Sequence, residues 1–278
     1  MTATIIMPLY GHSEFADLAI RSLIKHSRDQ MNLIIIVEPV NTARDDQWLE
    51  KLPALWPWRL KIISNPKRLG YYVSVNQGVL ACETDAAIIF TSDQFAAPGW
   101  EAELLRYLAP RRFVTGRLVE SGVRLIADDN LFRNFGRSPK EFREREFIEF
   151  CRDYVPRQKI DIPRHYLPMA FYKKDFIEAG LFVEGKEADD SKYREDFFFL
   201  MRCYDKGYEL VEVQKPISYH FQGGSRKGRY RMALLNWFYP LGLKRVHRML
   251  TGYVSIYDAL VKHGAKERME QTLSSLNQ

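Results

Sequence analysis

The stretch IIFTSDQFAAPGW, residues 88–100, carries an apolar run that stops at a single carboxylate, Asp93. The stretch contains no basic residue that could neutralise this charge. A carboxylate at the exit of a buried strand is costly unless a cation meets it, so the pattern indicates a metal or another cationic partner. A plainer interpretation is also open, because aspartate commonly begins turns and Pro98-Gly99 follows closely.

The segments before this stretch alternate between short apolar strands and helices. Apolar side chains recur at helical spacing after Ser13, which is predicted to cap the first helix. Continuous apolar strands joined by helices predict an α/β fold with a parallel sheet covered on both faces. The predicted strands are Thr4–Pro8, Leu33–Val37, Lys61–Ser64 and Ala86–Phe90, and the predicted helices cover about 14–27, 45–55 and 71–82.

The ends of these strands are where a ligand is expected. In parallel sheets of this kind, ligands bind beyond the carboxyl ends of the strands. The residues that fall at those ends are Pro8, Tyr10, Glu38, Asn65 and Asp93. Their convergence predicts a binding site at this edge of the sheet.

Composition and cysteine spacing restrict the class of protein. A length of 278 residues with 46% hydrophobic residues suits one large domain, or a domain with an appendage. Cys82, Cys151 and Cys203 lie far apart, which argues against a zinc knuckle or a disulfide framework and favours a reducing cytosol. The N-terminal apolar run is too short for a signal peptide, and no run is long enough to span a membrane. We therefore expect a cytoplasmic protein.

The second half of the chain is predicted to be less regular. Residues 128–160 are charged, aromatic and rich in loops, which favours a lid or substrate-facing excursion over a core element. An extended YLPMAFY then leads into a helix, KKDFIEAG, that Gly180 ends. The remaining predicted elements are a strand over Phe113–Val119, a helix over Glu195–Lys206, and strands over Glu209–Val213 and Ile217–His220.

Two positions in this half carry candidate chemistry. Glu195 and Asp196 open a helix, where acidic residues are ordinary partners of the helix dipole. Three phenylalanines follow them, however, and apolar surroundings raise the pKa of a carboxyl group toward that of a general base. His220 ends an apolar strand before a glycine pair and the cations Arg226 and Lys227. Imidazole, carboxylate and phosphate oxygens together suit Mn²⁺ better than Mg²⁺.

Phosphate binding is a further prediction from loop composition. Residues 65–70, NPKRLG, form a basic turn at a strand end that could hold a phosphate or expose its cations to solvent. The patterns GxGxxG and GxxxxGK[ST] are both absent, which argues against Rossmann dinucleotide binding and against a P-loop.

The order of these segments resembles the GT-A glycosyltransferases of family 2, which are inverting and use nucleotide diphosphate sugars. The resemblance covers residues 3–225 and implies a Rossmann-like, mostly parallel sheet flanked by helices, with a helical C-terminal appendage. The implied domains are 1–225, with a nucleotide-binding half to about residue 100 and an acceptor half from 101, and then 226–278. The similar segments are IIMPLYGHSEFADLAIRSLIKHS, IIIVEPVN, NPKRLGYYVSVNQG, FTSDQFAAPGW, LPMAFYKKDFIEAGLF, REDFFFLMRCYDKGYELVEV and ISYHFQGGS.

The resemblance also implies roles for individual residues. Asp93 and His220 would hold the divalent metal, and Asp196 would be the catalytic base. Ser92 replaces the first acid of the family's DxD motif, which leaves one metal-binding acid and removes one charge. Ser92 itself is an implied contact to the donor. The other implied contacts are Pro8 and Tyr10 around the base, Glu38 as the acid that meets it, Arg68, Gly70 and Asn76 near the nucleotide or diphosphate, and Arg226 and Lys227 at the diphosphate.

The function that this resemblance implies is metal-dependent, inverting transfer of a sugar to a glycan or other acceptor hydroxyl by a hexosyltransferase. Mn²⁺ and Mg²⁺ both stay open. UDP is the default donor nucleotide, while dTDP and GDP stay open because EPVN lacks the usual acid pair and glycine. A non-catalytic GT-A module that binds nucleotide or glycan is one alternative. A sugar-1-phosphate nucleotidyltransferase is less favoured, because PLYGHSEF lacks the glycine- and lysine-rich loop of that class.

The basic, aromatic tail admits more than one partner. Cations crowd residues 224–248, which suits phosphates, nucleic acid or an anionic membrane surface, although no nucleic acid is expected for this family. Pro240 and Gly242 interrupt an amphipathic face, so a helical cap or a dimer contact is favoured over peripheral membrane binding.

Overall fold

The apolar segments of the first ninety residues form the parallel half of a central sheet. The computed structural model describes residues 2–39, 42–121, 131–183, 195–221 and 256–277. The first four strands pair in parallel in the order β3-β2-β1-β4. They are β1 (Ala3–Leu9), β2 (Met31–Val37), β3 (Leu60–Ser64) and β4 (Ala86–Ile89), and the helices between them are α1 (Ser13–His26), α2 (Ala43–Leu55) and α3 (Tyr71–Ala81).

Two hydrophobic cores lie on opposite faces of this half-sheet. Ile5 of β1 packs in one cluster with Ala19 of α1, whereas Ile6 packs in a second cluster with Val75 of α3. Successive strand residues point to opposite faces, so a strand that is apolar at every position needs a helix on each side. The continuous apolar runs therefore predict the layering correctly.

The second half extends the sheet with strands of both directions. Its full order is β3-β2-β1-β4-β9-β6-β10-β5, with β7 beside β6 and β8 beside β10. Strand β9 is antiparallel to both β4 and β6, so β6 and β10 run in the same direction as β1 to β4. The elements are β5 (Gln94–Ala96), α4 (Trp100–Leu105), β6 (Arg112–Glu120), β7 (Leu131–Phe132), α5 (Glu144–Asp153), β8 (Ile160–Asp161), β9 (Met169–Tyr172), α6 (Lys173–Ala179), α7 (Glu195–Asp205) and β10 (Glu209–His220).

Two predicted strands are one continuous strand in the structure. The segments separated at Gln214–Pro216 belong to β10, which stays paired with β6 and shifts register on both sides of Pro216. Proline cannot donate a ladder hydrogen bond, so an irregularity at this position keeps the strand in the sheet. The strand reaches His220 and delivers that residue to the carboxyl edge.

The prediction of a lid rather than a core element for residues 128–160 is wrong where the structure describes them. Helix α5 lies in this segment, and its Phe147 and Cys151 are buried one turn apart. They pack with Phe95, Phe135 and Tyr219 in a third hydrophobic cluster. The segment forms part of the hydrophobic core, because its aromatic side chains cover the end of the sheet that contains β5 and β10. Residues 122–130 lie outside the described part.

Helix α1 is capped by a distant residue and not by Ser13. The N-cap position belongs to His12, which has left-handed backbone angles and no capping side-chain bond. Ser13 is the first helical residue, and its backbone N–H donates to Asp45 Oδ1 at 2.8 Å. The Asp45 carboxylate lies at the positive end of the helix and takes the capping role that the sequence predicts for Ser13. Burial would raise the pKa of the Asp45 carboxyl, but hydrogen bonds from Thr42 and Ser13 outweigh it and lower that pKa to about 2.

The last described helices pack against the α/β core. They are α8 (Ile256–Lys262) and α9 (Ala265–Asn277). Leu260 and Ala265 share a hydrophobic cluster with Phe199 of α7, and the Asn277 side chain bonds both the N–H and the carbonyl of Ile160. The predicted boundary at residues 225 and 226 and the predicted basic patch fall outside the described residues. Within the described residues, no helix combines the length and hydropathy that crossing a membrane requires.

Candidate active site

Three side chains from three strand ends form a chain of charges at the carboxyl edge of the sheet. Asp93 follows β4, Glu120 ends β6 and His220 ends β10. His220 Nε2 lies 3.4 Å from Asp93 Oδ2, and His220 Nδ1 lies 3.3 Å from Glu120 Oε1. The imidazole therefore bridges two carboxylates. The Phe221 N–H donates to the Asp93 carbonyl at 3.1 Å, which fixes the two segments to each other.

The electrostatics of this cluster favour a charged imidazole. Burial alone would lower the pKa of His220, but the adjacent Asp93 and Glu120 carboxylates outweigh it and raise that pKa to about 10. Burial alone would likewise raise the pKa of Asp93, and the facing imidazolium instead holds it below its usual value. A cation thus meets the carboxylate that the sequence leaves without a local partner, and in this arrangement the cation is His220.

The Asp93–His220 pair also fits a divalent metal. Oδ2 and Nε2 face each other at a distance from which both atoms can reach one ion, once the proton on Nε2 is displaced. A mixed oxygen and nitrogen donor set is acceptable to Mn²⁺. Among the described residues, no three His, Cys, Asp or Glu side chains are placed so that they could hold one metal ion together. Further ligands would have to come from elsewhere, such as phosphate oxygens.

Asp196 lies in the first turn of α7 and is almost completely buried, with 1% exposure. Its Oδ1 accepts hydrogen bonds from its neighbour Phe197 N–H at 2.9 Å and from Tyr72 Oη at 3.4 Å. The charges of Asp196 and of the metal-binding candidate Asp93 both affect the neighbouring Tyr71. Burial raises the pKa of the Tyr71 phenol well above its usual value, and the charges of Asp196 and Asp93 raise it further. The hydrogen bond from Tyr72 places Asp196 beside the first turn of α3.

The start of α7 is held by bonds to the residues that follow α6. Glu195 Oε1 accepts from the Val183 N–H and from Arg202 Nη2, both at 2.8 Å. Asn76 of α3 bonds both the N–H and the carbonyl of Phe182, at 3.0 and 2.8 Å. Asn76, which the sequence places near the nucleotide, thus has its side-chain amide engaged by the backbone here. Its contact with a nucleotide stays a prediction.

Glu38 is the centre of a second cluster, at the end of β2. Its Oε1 accepts from Asn65 Nδ2 at 3.1 Å and from Ser74 Oγ at 2.5 Å. Its Oε2 accepts from the backbone N–H groups of Leu69 and Gly70, at 2.8 and 3.4 Å. Burial would raise the pKa of this carboxyl, but these four bonds outweigh it and lower that pKa. Glu38 therefore ties loop 65–70 and the start of α3 to the sheet, and its contact with a base stays a prediction.

The loop that Glu38 holds places the remaining donor-site candidates. The Arg68 guanidinium lies 4.6 Å from the centre of the Tyr10 ring, a cation–π contact, and Tyr10 is 44% exposed. Gly70 is the N-cap of α3 with φ of 91°, a conformation that favours glycine. Pro8 lies on β1 beside Ile36. Arg226 and Lys227 lie outside the described residues.

Glu120 and Tyr71 are not among the site residues that the sequence predicts. A signal for Glu120 was present, because it directly follows the predicted strand Phe113–Val119 and the same rule of strand ends applies to it. Tyr71 gave no such signal, since an aromatic residue at the start of a helix is ordinary. Its relation to the site follows from the charges of Asp196 and Asp93, which both act on its phenol.

Comparison with known proteins identifies the family. A family model described as Glycosyl transferase family 2 matches residues 4–180. No curated protein matches the chain. The structure is similar to GalNAc-T7 in complex with UDP, GalNAc and Mn²⁺, with a TM-score of 0.59 and 15% identity over 79% of this chain and 44% of that one.

Two further solved structures have the same fold. TarS from S. aureus gives a TM-score of 0.55 with 12% identity, over 79% of this chain and 36% of that one. The mannosyltransferase PcManGT from Pyrobaculum calidifontis, in complex with GDP-Man and Mn²⁺, gives 0.54 with 15% identity, over 84% and 60%. The chain thus spans less than two thirds of the length of each of these neighbours. At these identities the likeness shows the fold, which is the GT-A fold of glycosyltransferases.

Proposed function

Because this chain belongs to family 2 of the glycosyltransferases, we propose that it moves a hexose, with inversion, from a nucleotide diphosphate sugar to an acceptor hydroxyl. The observation that carries the proposal is the Asp93–His220 pair at the carboxyl edge of the sheet, whose facing atoms suit a metal ion. Asp196 adds a buried carboxylate, which accepts a hydrogen bond from Tyr72 in the first turn of α3.

The donor is proposed to be a UDP-sugar. UDP is bound in the GalNAc-T7 and TarS complexes, and GDP-Man in PcManGT, so a nucleotide diphosphate sugar is supported while dTDP and GDP stay open. Pro8 and Tyr10 would border the base beyond the end of β1. Arg68, Arg226 and Lys227 would add positive charge near the diphosphate.

Asp93 and His220 would hold Mn²⁺, or Mg²⁺ with less suitable ligands. When bound, such an ion neutralises charge on the departing diphosphate. Ser92 adds a hydroxyl and no charge beside this site. Loss of one acid relative to a DxD motif also favours the alternative, a module that binds nucleotide or glycan without catalysis.

Asp196 is proposed to accept the proton of the acceptor hydroxyl. A base in this position lets the hydroxyl oxygen attack the anomeric carbon on the face opposite the diphosphate, so an α-linked donor gives a β-linked product. Burial of the side chain and its hydrogen bond from Tyr72 fix the carboxylate in one orientation. Glu195, Arg202 and Asn76 hold the segments on both sides of it.

The first experiment is a screen of nucleotide sugars for thermal stabilisation of the protein and for Mn²⁺-dependent donor hydrolysis. We expect one donor class to stabilise the protein and to be hydrolysed only with metal. Stabilisation without any hydrolysis or transfer would favour the binding module.

The variant Asp196→Asn then tests the base. We expect the transfer rate to fall by about 10²–10⁴-fold while donor affinity stays unchanged, because the substitution removes proton transfer and keeps the shape. Asp205→Asn, at the exposed far end of α7, is the matched control and should transfer at the wild-type rate. Full activity of Asp196→Asn would refute the role of Asp196.

A further inference from the structure

The metal-binding candidates contain one acid fewer than a DxD motif would supply, yet a second carboxylate lies close by. Ser92 stands next to Asp93 in the stretch that joins β4 and β5. Glu120, which comes from β6, contacts the ring nitrogen of His220 that faces away from Asp93, at 3.3 Å. The cluster therefore holds two carboxylates, Asp93 and Glu120, on opposite ring nitrogens of one imidazole.

We propose that Glu120 is a positioning residue that supplies the second negative charge of the metal centre through His220. Its contact with Nδ1 directs Nε2 toward Asp93 and makes the imidazole a stronger donor, which compensates for the acid absent at Ser92. This inference rests on the proposed metal-dependent function. Carboxylates that bind the second nitrogen of a metal-ligating histidine act in this way in other metalloproteins.

The scaffold around Glu120 suits such a role. Glu120 and His220 are directly paired residues of the parallel strands β6 and β10, so the contact joins two backbone segments of one sheet. Glu120 is 6% exposed, and its carbonyl accepts from the Arg133 N–H at 3.0 Å. Water therefore competes little for the Glu120 carboxylate, and strands hold the contact more firmly than a surface loop would.

A purely structural pairing of Glu120 with His220 is the rival interpretation. The chain contains a matched example, because buried Glu212 on β10 contacts His165 Nδ1 at 3.1 Å. Glu212 also accepts from the N–H groups of Arg164 and His165, at 2.8 and 2.9 Å, and its partners are not among the metal candidates. Glu212→Gln therefore removes a buried glutamate–histidine pair without touching the proposed metal centre.

The test is a titration of the full chain with Mn²⁺, with and without UDP, followed by the electron paramagnetic resonance signal of the free ion. We expect Glu120→Gln to weaken Mn²⁺ binding about 10- to 100-fold, the cost typical of removing such a partner. The affinity for UDP without metal should stay unchanged. Glu212→Gln should bind Mn²⁺ as the wild type does.

Ser92→Asp supplies the decisive second variant, because it restores the absent acid without touching the histidine. In the Glu120→Gln background it should recover most of the lost Mn²⁺ affinity. In the wild-type background it should raise the affinity less than about threefold, since Glu120 already provides the charge. The measurement of Ser92→Asp in the wild-type background tests the proposal even if Glu120→Gln does not fold.

The outcomes separate the two proposals. A wild-type protein that binds no Mn²⁺ overturns the metal dependence and this inference together. Mn²⁺ binding that is equal in the wild type and Glu120→Gln overturns the inference alone. A gain in Mn²⁺ affinity above tenfold from Ser92→Asp in the wild type also overturns it. Such a gain would mean that Glu120 does not supply the second negative charge of the metal centre.

Discussion

Two carboxylates at the same edge of the sheet have opposite kinds of partner. Glu38, at the end of β2, receives four hydrogen bonds from neutral donors and is 3% exposed. Asp93, after β4, faces an imidazole at 3.4 Å, and its side chain is 26% exposed. Position at a strand end is common to both, so position alone does not determine their roles.

The difference between these partners determines what each carboxylate can do. Amide and hydroxyl donors that belong to the fold are not exchanged for ions from solvent, so the Glu38 carboxylate holds a loop in this structure. An imidazolium can lose its proton to solvent and leave its nitrogen to a metal, so the charge of Asp93 can serve an exchangeable cation. We infer that Glu38, saturated by neutral donors, holds the loop, and that Asp93, which is partly exposed and paired with His220, is available to an exchangeable cation.

The largest expected effect is that of Asp93→Asn, which keeps the shape and removes the charge. The transfer rate should fall by at least about 10³-fold, because a metal that stabilises the leaving diphosphate supplies several kcal/mol at the transition state. Donor binding should lose its dependence on Mn²⁺. Transfer assays and nucleotide titrations with and without Mn²⁺ measure both. Unchanged metal-dependent affinity for the nucleotide would end the proposed role of Asp93.

Glu38→Ala should instead act on stability. It leaves Asn65, Ser74 and two backbone N–H groups without their acceptor, and we expect a loss of about 3 kcal/mol in the free energy of unfolding. Denaturant unfolding measures this loss. Glu50→Ala, at an exposed position of α2, is the control and should change stability by less than about 0.5 kcal/mol. A Glu38→Ala variant as stable as the control would contradict the structural role.

Much of this arrangement could be predicted from the sequence, because it depends on local pattern. Apolar runs and helical spacing predict the parallel half, and the rule of strand ends places Tyr10, Glu38 and Asp93 at one edge. Short motifs in their order along the chain predict the family. These signals can be detected in the sequence because each depends on a few consecutive residues.

The remainder depends on partners that are distant in sequence. His220 and Glu120 are 100 residues apart, and the donors to Glu38 come from 27 to 36 residues away. Asp45 caps α1 from 32 residues beyond Ser13. The antiparallel insertion of β9 between β4 and β6 is likewise a long-range pairing. No periodicity encodes such contacts, so the structure alone reveals which carboxylate is saturated.

Lowering the pH should remove the contribution that Glu38 makes to the stability of the fold. Its pKa is lowered in the folded state, so its contribution to stability is present above the unfolded value of 4.5 and is lost as the pH falls through the folded pKa. The stability difference between the wild type and Glu38→Gln should therefore be constant at neutral pH and narrow below about pH 4.5. Denaturant unfolding at several pH values measures it. A difference that widens on acidification would contradict this sign.

The smallest stability effect is expected at Tyr10, whose exposed ring stacks on Arg68 of the loop that Glu38 holds. Tyr10→Ala should cost at most about 1 kcal/mol of stability, since exposed cation–π contacts are weak. It should nevertheless weaken donor binding, by about tenfold or 1.4 kcal/mol, if the ring borders the base. Tyr10→Phe keeps the ring and should change neither quantity appreciably. Nucleotide titration and denaturant unfolding of both variants separate the two effects. If Tyr10→Ala destabilised the protein as much as Glu38→Ala, the exposed ring would be as structural as the saturated carboxylate, and the distinction between holding the loop and binding the donor would fail.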